Sequence, residues 1–154
     1  MAAASLRGAQ IVPAPPGELK DRSPPAVQRR VSAKVLVVDD SAMVRTQLSR
    51  VLDAAGFCVA AATDGVDALK RLADEPGTKL VVCDLNMPIM GGIELLEELR
   101  TRRRDPVPFV VLTTDAQADV IGRARSLGAS GWMTKPLKPE LLLATAMKLT
   151  ATGG

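Results

Sequence analysis

Residues 80–90 read Leu-Val-Val-Cys-Asp-Leu-Asn-Met-Pro-Ile-Met, four apolar residues running straight into a carboxylate, Asp84, before the chain breaks at Pro88. An apolar run without polar alternation reads as a strand buried on both faces, as in the middle of a parallel sheet covered by helices. Asp84 then stands at the strand's C-terminal end. Pro88 lacks an N–H and restricts Met87 to extended geometry, and Gly91 and Gly92 follow, which predicts a tight, shaped loop before the next helix. Open α/β sheets carry their chemistry at this edge.

The flanking segments repeat the pattern. Val35 to Val38 is an apolar strand ending in Asp39-Asp40, after which Ser41 caps a helix with the stripe Met43, Val44, Gln47, Leu48, Val51, Leu52 and Ala55, closed by Gly56. Residues 57–62 read as a second strand, Thr63-Asp64-Gly65 as a turn, and Val66, Ala68, Leu69 and Leu72 as a helix ending near Pro76-Gly77. After the central strand comes a third helix over 92–100, a fourth strand over 107–112 ending in Thr113-Thr114, and a helix from about Asp115 to Leu127. Gly122 weakens that helix by ~1 kcal/mol relative to alanine. Ser130 to Thr134 is a short fifth strand leading to Lys135-Pro136, and residues 138–151 form a last helix that is apolar over most of its circumference. Five strands alternating with five helices predict an α/β fold, a doubly wound five-stranded parallel sheet with helices on both faces and right-handed crossovers.

The chain has 154 residues, 47% of them hydrophobic, enough for one domain with a real core. Its formal charge of +3 belongs to residues 1–33, which hold Arg7, Lys20, Arg22, Arg29 and Arg30 against Glu18 and Asp21. The remainder has 15 basic and 15 acidic residues, so the folded part is not a basic module and no direct DNA binding is expected. Residues 1–33 also hold five of the eleven prolines and show no apolar periodicity, which predicts a disordered extension, either a docking arm or a solvated tail. The domain is expected over 34–154. Cys58 and Cys83 both lie in strand-like runs and read as buried thiols of a reducing compartment. With no leader-like apolar segment and no run near ~18 apolar residues, the expected location is the cytoplasm, with no membrane partner.

Parallel strands bring Asp39, Asp40, Asp84, Thr113 and Lys135 to one edge. Two carboxylates ~4 Å apart repel by about 4 kcal/mol at an effective dielectric of 20, so three together call for a compensating divalent cation. With oxygen ligands and no histidine in the chain, Mg²⁺ or Mn²⁺ is favoured over zinc. Such an ion leaves one carboxylate available as a nucleophile toward phosphorus, the lysine to pair with phosphoryl oxygens and the threonine hydroxyl to bond them.

The segments Val-Leu-Val-Val-Asp-Asp-Ser, Asp-Leu-Asn-Met-Pro, Thr113, Gly-Ala-Ser-Gly-Trp and Lys-Pro-Leu resemble the receiver domain of bacterial two-component response regulators, over about residues 34–150. The chain stops directly after its fifth helix, and the stand-alone CheY type is therefore the expected class. The resemblance implies the strand order 2-1-3-4-5 and a signalling switch that assists its own phosphorylation and dephosphorylation, in chemotaxis or motility. It implies Asp84 as phosphoacceptor, Asp40 and the backbone carbonyl of Asn86 as direct metal ligands, and Asp39 acting largely through water. Thr113 and Lys135 resemble the switch hydroxyl and the phosphate-pairing lysine, and Lys135-Pro136 the family's cis peptide. Trp132 stands where the family usually has a smaller mobile aromatic, and Thr114 where a smaller residue is commoner; its bulk is expected to slow access to Asp84. The implied partners are a sensor histidine kinase or histidine phosphotransfer protein and a target protein on the face of the fourth helix, fifth strand and fifth helix, the chain being a monomer or weak dimer.

A phosphohydrolase with an aspartyl nucleophile and a flavodoxin-like protein share this architecture. Neither fits well: the first strand ends in two aspartates where a flavin phosphate wants a Ser/Thr/Gly-rich cradle, and the loops are too short for a hydrolase cap.

Overall fold

The computed structural model describes residues 33–102, 107–114 and 117–152. Within them the strands are β1 (Lys34–Val38), β2 (Cys58–Ala62), β3 (Thr78–Asp84), β4 (Phe109–Thr113) and β5 (Gly131–Thr134). The helices are α1 (Ala42–Ala54), α2 (Gly65–Asp74), α3 (Gly92–Arg102), α4 (Ala118–Ser126) and α5 (Pro139–Thr152). The five strands are parallel, in the order β2-β1-β3-β4-β5.

Side chains alternate across a strand, so each central strand feeds two cores. Leu36, Val38, Val81, Cys83, Phe109 and Val111 pack on one face under Ala68 and Leu72 of α2, Leu95, Leu96 and Leu99 of α3 and Ala124 of α4. Val35, Val37, Leu80, Val82, Val110, Leu112 and Met133 pack on the other under Leu48 and Leu52 of α1 and Leu142 and Ala146 of α5. The unbroken apolar run of β3 is thus explained by helices on both sides. Strand β1 pairs with both β2 and β3, with one register irregularity between Lys34 and Val35.

Local chemistry sets the ends of the elements. Ser41 caps α1, its hydroxyl accepting from Val44 N–H, and Asp64 does the same for α2 through Asp67 N–H. Gly56, at φ 98°, closes α1: its N–H bonds Asp53 O and that of Phe57 bonds Leu52 O, the paired bonds of a Schellman ending. Strand β4 begins at Phe109, two residues later than the pattern suggested, because Pro108 has no N–H for a ladder; its carbonyl still accepts from Val81. The fourth helix was expected from Asp115, which lies outside the described residues, and α4 is seen from Ala118. The extension expected over 1–33 also lies outside them, except for Ala33. One expectation is corrected. Cys83 is buried but Cys58 is exposed, because it opens β2, the edge strand.

Helix α5 divides its apolar residues. Leu142 and Ala146 are fully buried, whereas Leu141 and Met147 are exposed. No described helix is long and apolar enough to cross a membrane.

The loop from Asp84 to Gly92 is shaped by close backbone approaches. A Cβ at Gly92 would lie 2.6 Å from Asp84 O, and one at Gly91 would lie 2.7 Å from Leu85 O. Met90 folds inward, its side chain over Gly65 and its carbonyl accepting from Gly65 N–H at 2.9 Å. To bring it there the chain turns at Ile89, where φ is 72° and Met90 N–H bonds Pro88 O at 2.7 Å. This is a γ-turn of the positive-φ kind, rare and strained for a β-branched residue.

Two exchanges in this loop should therefore act in opposite directions. Gly92→Ala should lower stability by about 1–3 kcal/mol, since the backbone at Asp84 must give way. Ile89→Gly relieves strain of order 1–3 kcal/mol against about 0.5–1 kcal/mol of added chain entropy, so stability should be unchanged or higher. Urea unfolding of both variants checks the pair.

Candidate functional site

Register places the polar residues. Val38 pairs with Cys83, so Asp39 and Asp84 stand level at the ends of neighbouring strands, while Thr113 pairs with Thr134 immediately before Lys135. Each atom of Asp39 that can bond is held. Its N–H donates to Ala62 O at 3.1 Å, Oδ1 accepts from Ser41 N–H at 2.9 Å, Oδ2 accepts from Lys135 Nζ at 2.9 Å, and its carbonyl accepts from Arg45 Nη1 at 2.7 Å. Lys135 also reaches Asp84 Oδ1 at 3.4 Å. Its backbone N–H bonds Thr113 O at 2.9 Å, and Lys135-Pro136 is cis.

Asp39 is 0% exposed and Asp84 6%, whereas Asp40 is exposed. One carboxylate oxygen from each of the three lies within 4.8 Å of the others. All-oxygen donors at this spacing suit a hard divalent cation. Asn86 is exposed, two residues past Asp84, and Thr113 is buried at the end of β4. Thr114 is exposed next to it.

Electrostatics separates the members. Burial raises the pKa of Asp84, and the Asp39 charge adds to it; Lys135 and the backbone N–H of Asn86 oppose the rise. Burial by itself would lower the pKa of Lys135, but the hydrogen bond and charge of Asp39, with those of Asp84, raise it above the usual lysine value. Burial also pushes the neighbouring Cys83 thiol well up, so it stays protonated, with Sγ 3.1 Å from Asp84 O.

The fold brings Asp39, Asp40, Asp84 and Lys135 into one cluster, with Thr113 and Asn86 beside it. Trp132 is elsewhere: it pairs with Val111 on β5, is exposed, and lies 5.0 Å from the Arg125 guanidinium, which covers its ring. Arg45 is a residue the sequence reading missed. Its signal was a cation near the N-terminal end of α1, where the helix dipole disfavours one and no acid is present. The Asp39 carbonyl explains it. Behind Lys135 lies an apolar cavity of about 480 Å³, between α1 (Val44, Leu48, Val51) and the segment Pro136 to Pro139.

The family model for the response regulator receiver domain matches residues 35–147. The chain is 43% identical over 112 residues to the protein-glutamate methylesterase/protein-glutamine glutaminase 2 of Caulobacter vibrioides, an alignment with 70% of this chain and only 31% of that protein. It is 32% identical over 111 residues to the chemotaxis protein CheY1 of Helicobacter pylori, covering 71% of this chain and 90% of that one. Among solved structures, the Vibrio cholerae chemotaxis protein CheY4 superposes with a TM-score of 0.72 at 36% identity, covering 76% of this chain and 98% of the other.

The site has a stability signature. Because the folded pKa of Asp84 is raised, the folded chain holds that proton to higher pH than the unfolded chain. Stability therefore falls as pH climbs from the unfolded value, about 3.9, through the raised one, and remains lower above it. Asp84→Asn should raise Tm at pH 7, and the gain should shrink as pH drops below about 4. Lys135→Met should act oppositely, lowering stability by about 1–3 kcal/mol, less than for a dry buried pair because the lysine side chain is 19% exposed. Thermal melts of both variants from pH 3 to pH 8 test the two signs.

Proposed function

The chain belongs to the family of response regulator receiver domains, and on that premise we propose that it is a CheY-like phosphorylation switch whose phosphoacceptor is Asp84. The observation that carries the reading is the lysine ammonium shared by two buried carboxylates at the C-terminal edge of a parallel sheet. Residues 34–154 are read as the receiver and residues 1–33 as an extension to it.

An oxygen lone pair of Asp84 forms the bond to phosphorus. The bond from phosphorus to the donor breaks, and its electron pair leaves with the donor, an imidazole nitrogen when the donor is a phosphohistidine of a sensor kinase or phosphotransfer protein. Lys135 is already beside Asp84 and pairs with the incoming phosphoryl oxygens as a point charge. Thr113 offers its hydroxyl to the same group, and Thr114 narrows the approach. Asp40, Asp84 and the Asn86 carbonyl would hold Mg²⁺ or Mn²⁺ directly and Asp39 would do so through water, and the ion would supply charge neutralisation at the carboxylates. Both Asp39 oxygens already accept hydrogen bonds, which supports an outer role for Asp39 and a direct one for exposed Asp40.

The phosphorylated chain then presents a changed surface to a target protein across α4, β5 and α5, in a chemotaxis or motility pathway. Exposed Trp132, Leu141 and Met147 on these elements support that face. No observation favours the phosphohydrolase or the flavin reading.

The experiment is labelling with phosphoramidate. One phosphoryl group should be found on Asp84 by mass mapping, with a rate that depends on Mg²⁺ and is lost in Asp84→Asn. Asp40→Ala should slow labelling at limiting Mg²⁺ while leaving Tm unchanged or higher. Undiminished labelling of Asp84→Asn would overturn the assignment.

A further inference from the structure

The phosphoryl chemistry makes no use of the cavity of about 480 Å³ between α1 and the segment Pro136 to Pro139. Fully buried Leu48 and Leu112 line it together with half-buried Val44, Val51 and Leu137. Val44, Leu48 and Val51 recur at the i, i+4, i+7 spacing, so one stripe of α1 faces the space. Its volume falls in the range of small-molecule sites, about 300–1,000 Å³, and its walls are aliphatic, with no aromatic ring among them. None of the exposed large apolar side chains among the described residues lines it, which distinguishes it from a protein-docking face. The polar lining is Gln47, Arg50 and Lys135. The Lys135 ammonium is already held by Asp39 and Asp84. Arg50 is exposed, and so stands at the cavity's mouth. Among the described arginines it alone has no hydrogen bond, ion pair or ring contact, whereas Arg45, Arg71, Arg100, Arg102, Arg123 and Arg125 each have one. Lys138 and Glu140, which flank Pro139, offset each other in charge, and the Arg50 guanidinium leaves the mouth positive.

We propose that this cavity binds a small alkyl carboxylate, its chain against Val44, Leu48, Val51 and Leu137 and its head group paired with Arg50. The occupant follows from the lining. A planar guanidinium without a partner matches a carboxylate through two parallel N–H donors, and a mouth carrying that charge disfavours an amine. Aliphatic walls offer no ring for a flat aromatic ligand to stack on, and they suit a flexible chain. Affinity then grows with chain length, by roughly three- to fourfold for each methylene buried. The proposal does not depend on Asp84 accepting a phosphoryl group.

The test titrates the full chain, without divalent cations, with decanoate, hexanoate, decanol and decylammonium below their micellar concentrations, and follows the methyl NMR signals of Leu48, Val51, Leu112 and Leu137. Decanoate should saturate these signals at one molecule per chain with a Kd below about 1 mM. Hexanoate should bind at least tenfold more weakly, and decanol and decylammonium at least fivefold more weakly. Arg50→Gln, an exchange at an exposed position, should weaken decanoate at least fivefold and leave decanol within twofold, while Lys70→Gln, which removes an exposed cation from α2, should change neither. Val51→Phe, which fills the cavity, should weaken both; if that variant does not fold, the Arg50 comparison decides. Absence of saturation by decanoate overturns the site, as do equal affinities for decanoate and decanol, an unchanged Kd in Arg50→Gln, or shifts confined to other residues. Shifts of the same methyl signals that follow protein concentration instead of decanoate would give the cavity to a second copy of the chain and overturn the ligand.

Discussion

Two carboxylates, Asp39 and Asp84, end neighbouring strands at the same level in the interior, and the ammonium of Lys135 is what allows both to stay there. At ~4 Å and an effective dielectric of 20 the repulsion of such a pair is about 4 kcal/mol, a large fraction of a domain's total stability. The sheet must therefore deliver a cation from β5 across β4. It does so through the backbone, with Lys135 N–H tied to Thr113 O, and Arg45 and Ser41 fix Asp39 from the other side. A site balanced in this way has spare negative charge, which suits an added divalent cation.

The second constraint is steric. Gly92 lies against the Asp84 carbonyl and Gly91 against that of Leu85, so α3 begins almost in contact with the end of β3. The loop between them has little freedom, and its strain is concentrated at Ile89. A short, stiff loop holds the carboxylate in place and at the same time lifts one apolar side chain into solvent beside it. The placement of Asp84 and the exposure of Ile89 thereby follow from one piece of backbone.

Helix α4 is tied down at its C-terminal end. Arg100 of α3 donates from Nε to Leu127 O and from Nη2 to Gly128 O, closing the C-terminal end of α4, and Glu97 pairs with Arg123. Gly128, at φ 91°, could not take a side chain without pressing on the Arg100 guanidinium. Gly122, in the middle of α4, has open space where a Cβ would be. A short helix anchored at one end and weakened in its interior is the kind of element that opens at low free energy, and it lies next to Trp132 on the proposed target face.

The sequence by itself determined the fold class, the order of elements and the convergence of Asp39, Asp40, Asp84, Thr113 and Lys135. These follow from apolar period, helix stops and the rule that parallel strands share a C-terminal edge, all of which are local or topological. Element ends shifted by a few residues where single groups decided them, as Pro108 did for β4. Tertiary structure alone decided the rest. The exposure of Cys58 depends on β2 being an edge strand, the bond from Arg45 to Asp39 on α1 crossing the end of β1, and the strained turn at Ile89 on Met90 having to reach Gly65. The exposure of Cys58 and the turn at Ile89 are set by contacts between segments that only the packed sheet brings together, and the Arg45 bond, though only six residues apart in sequence, by the turn from β1 into α1.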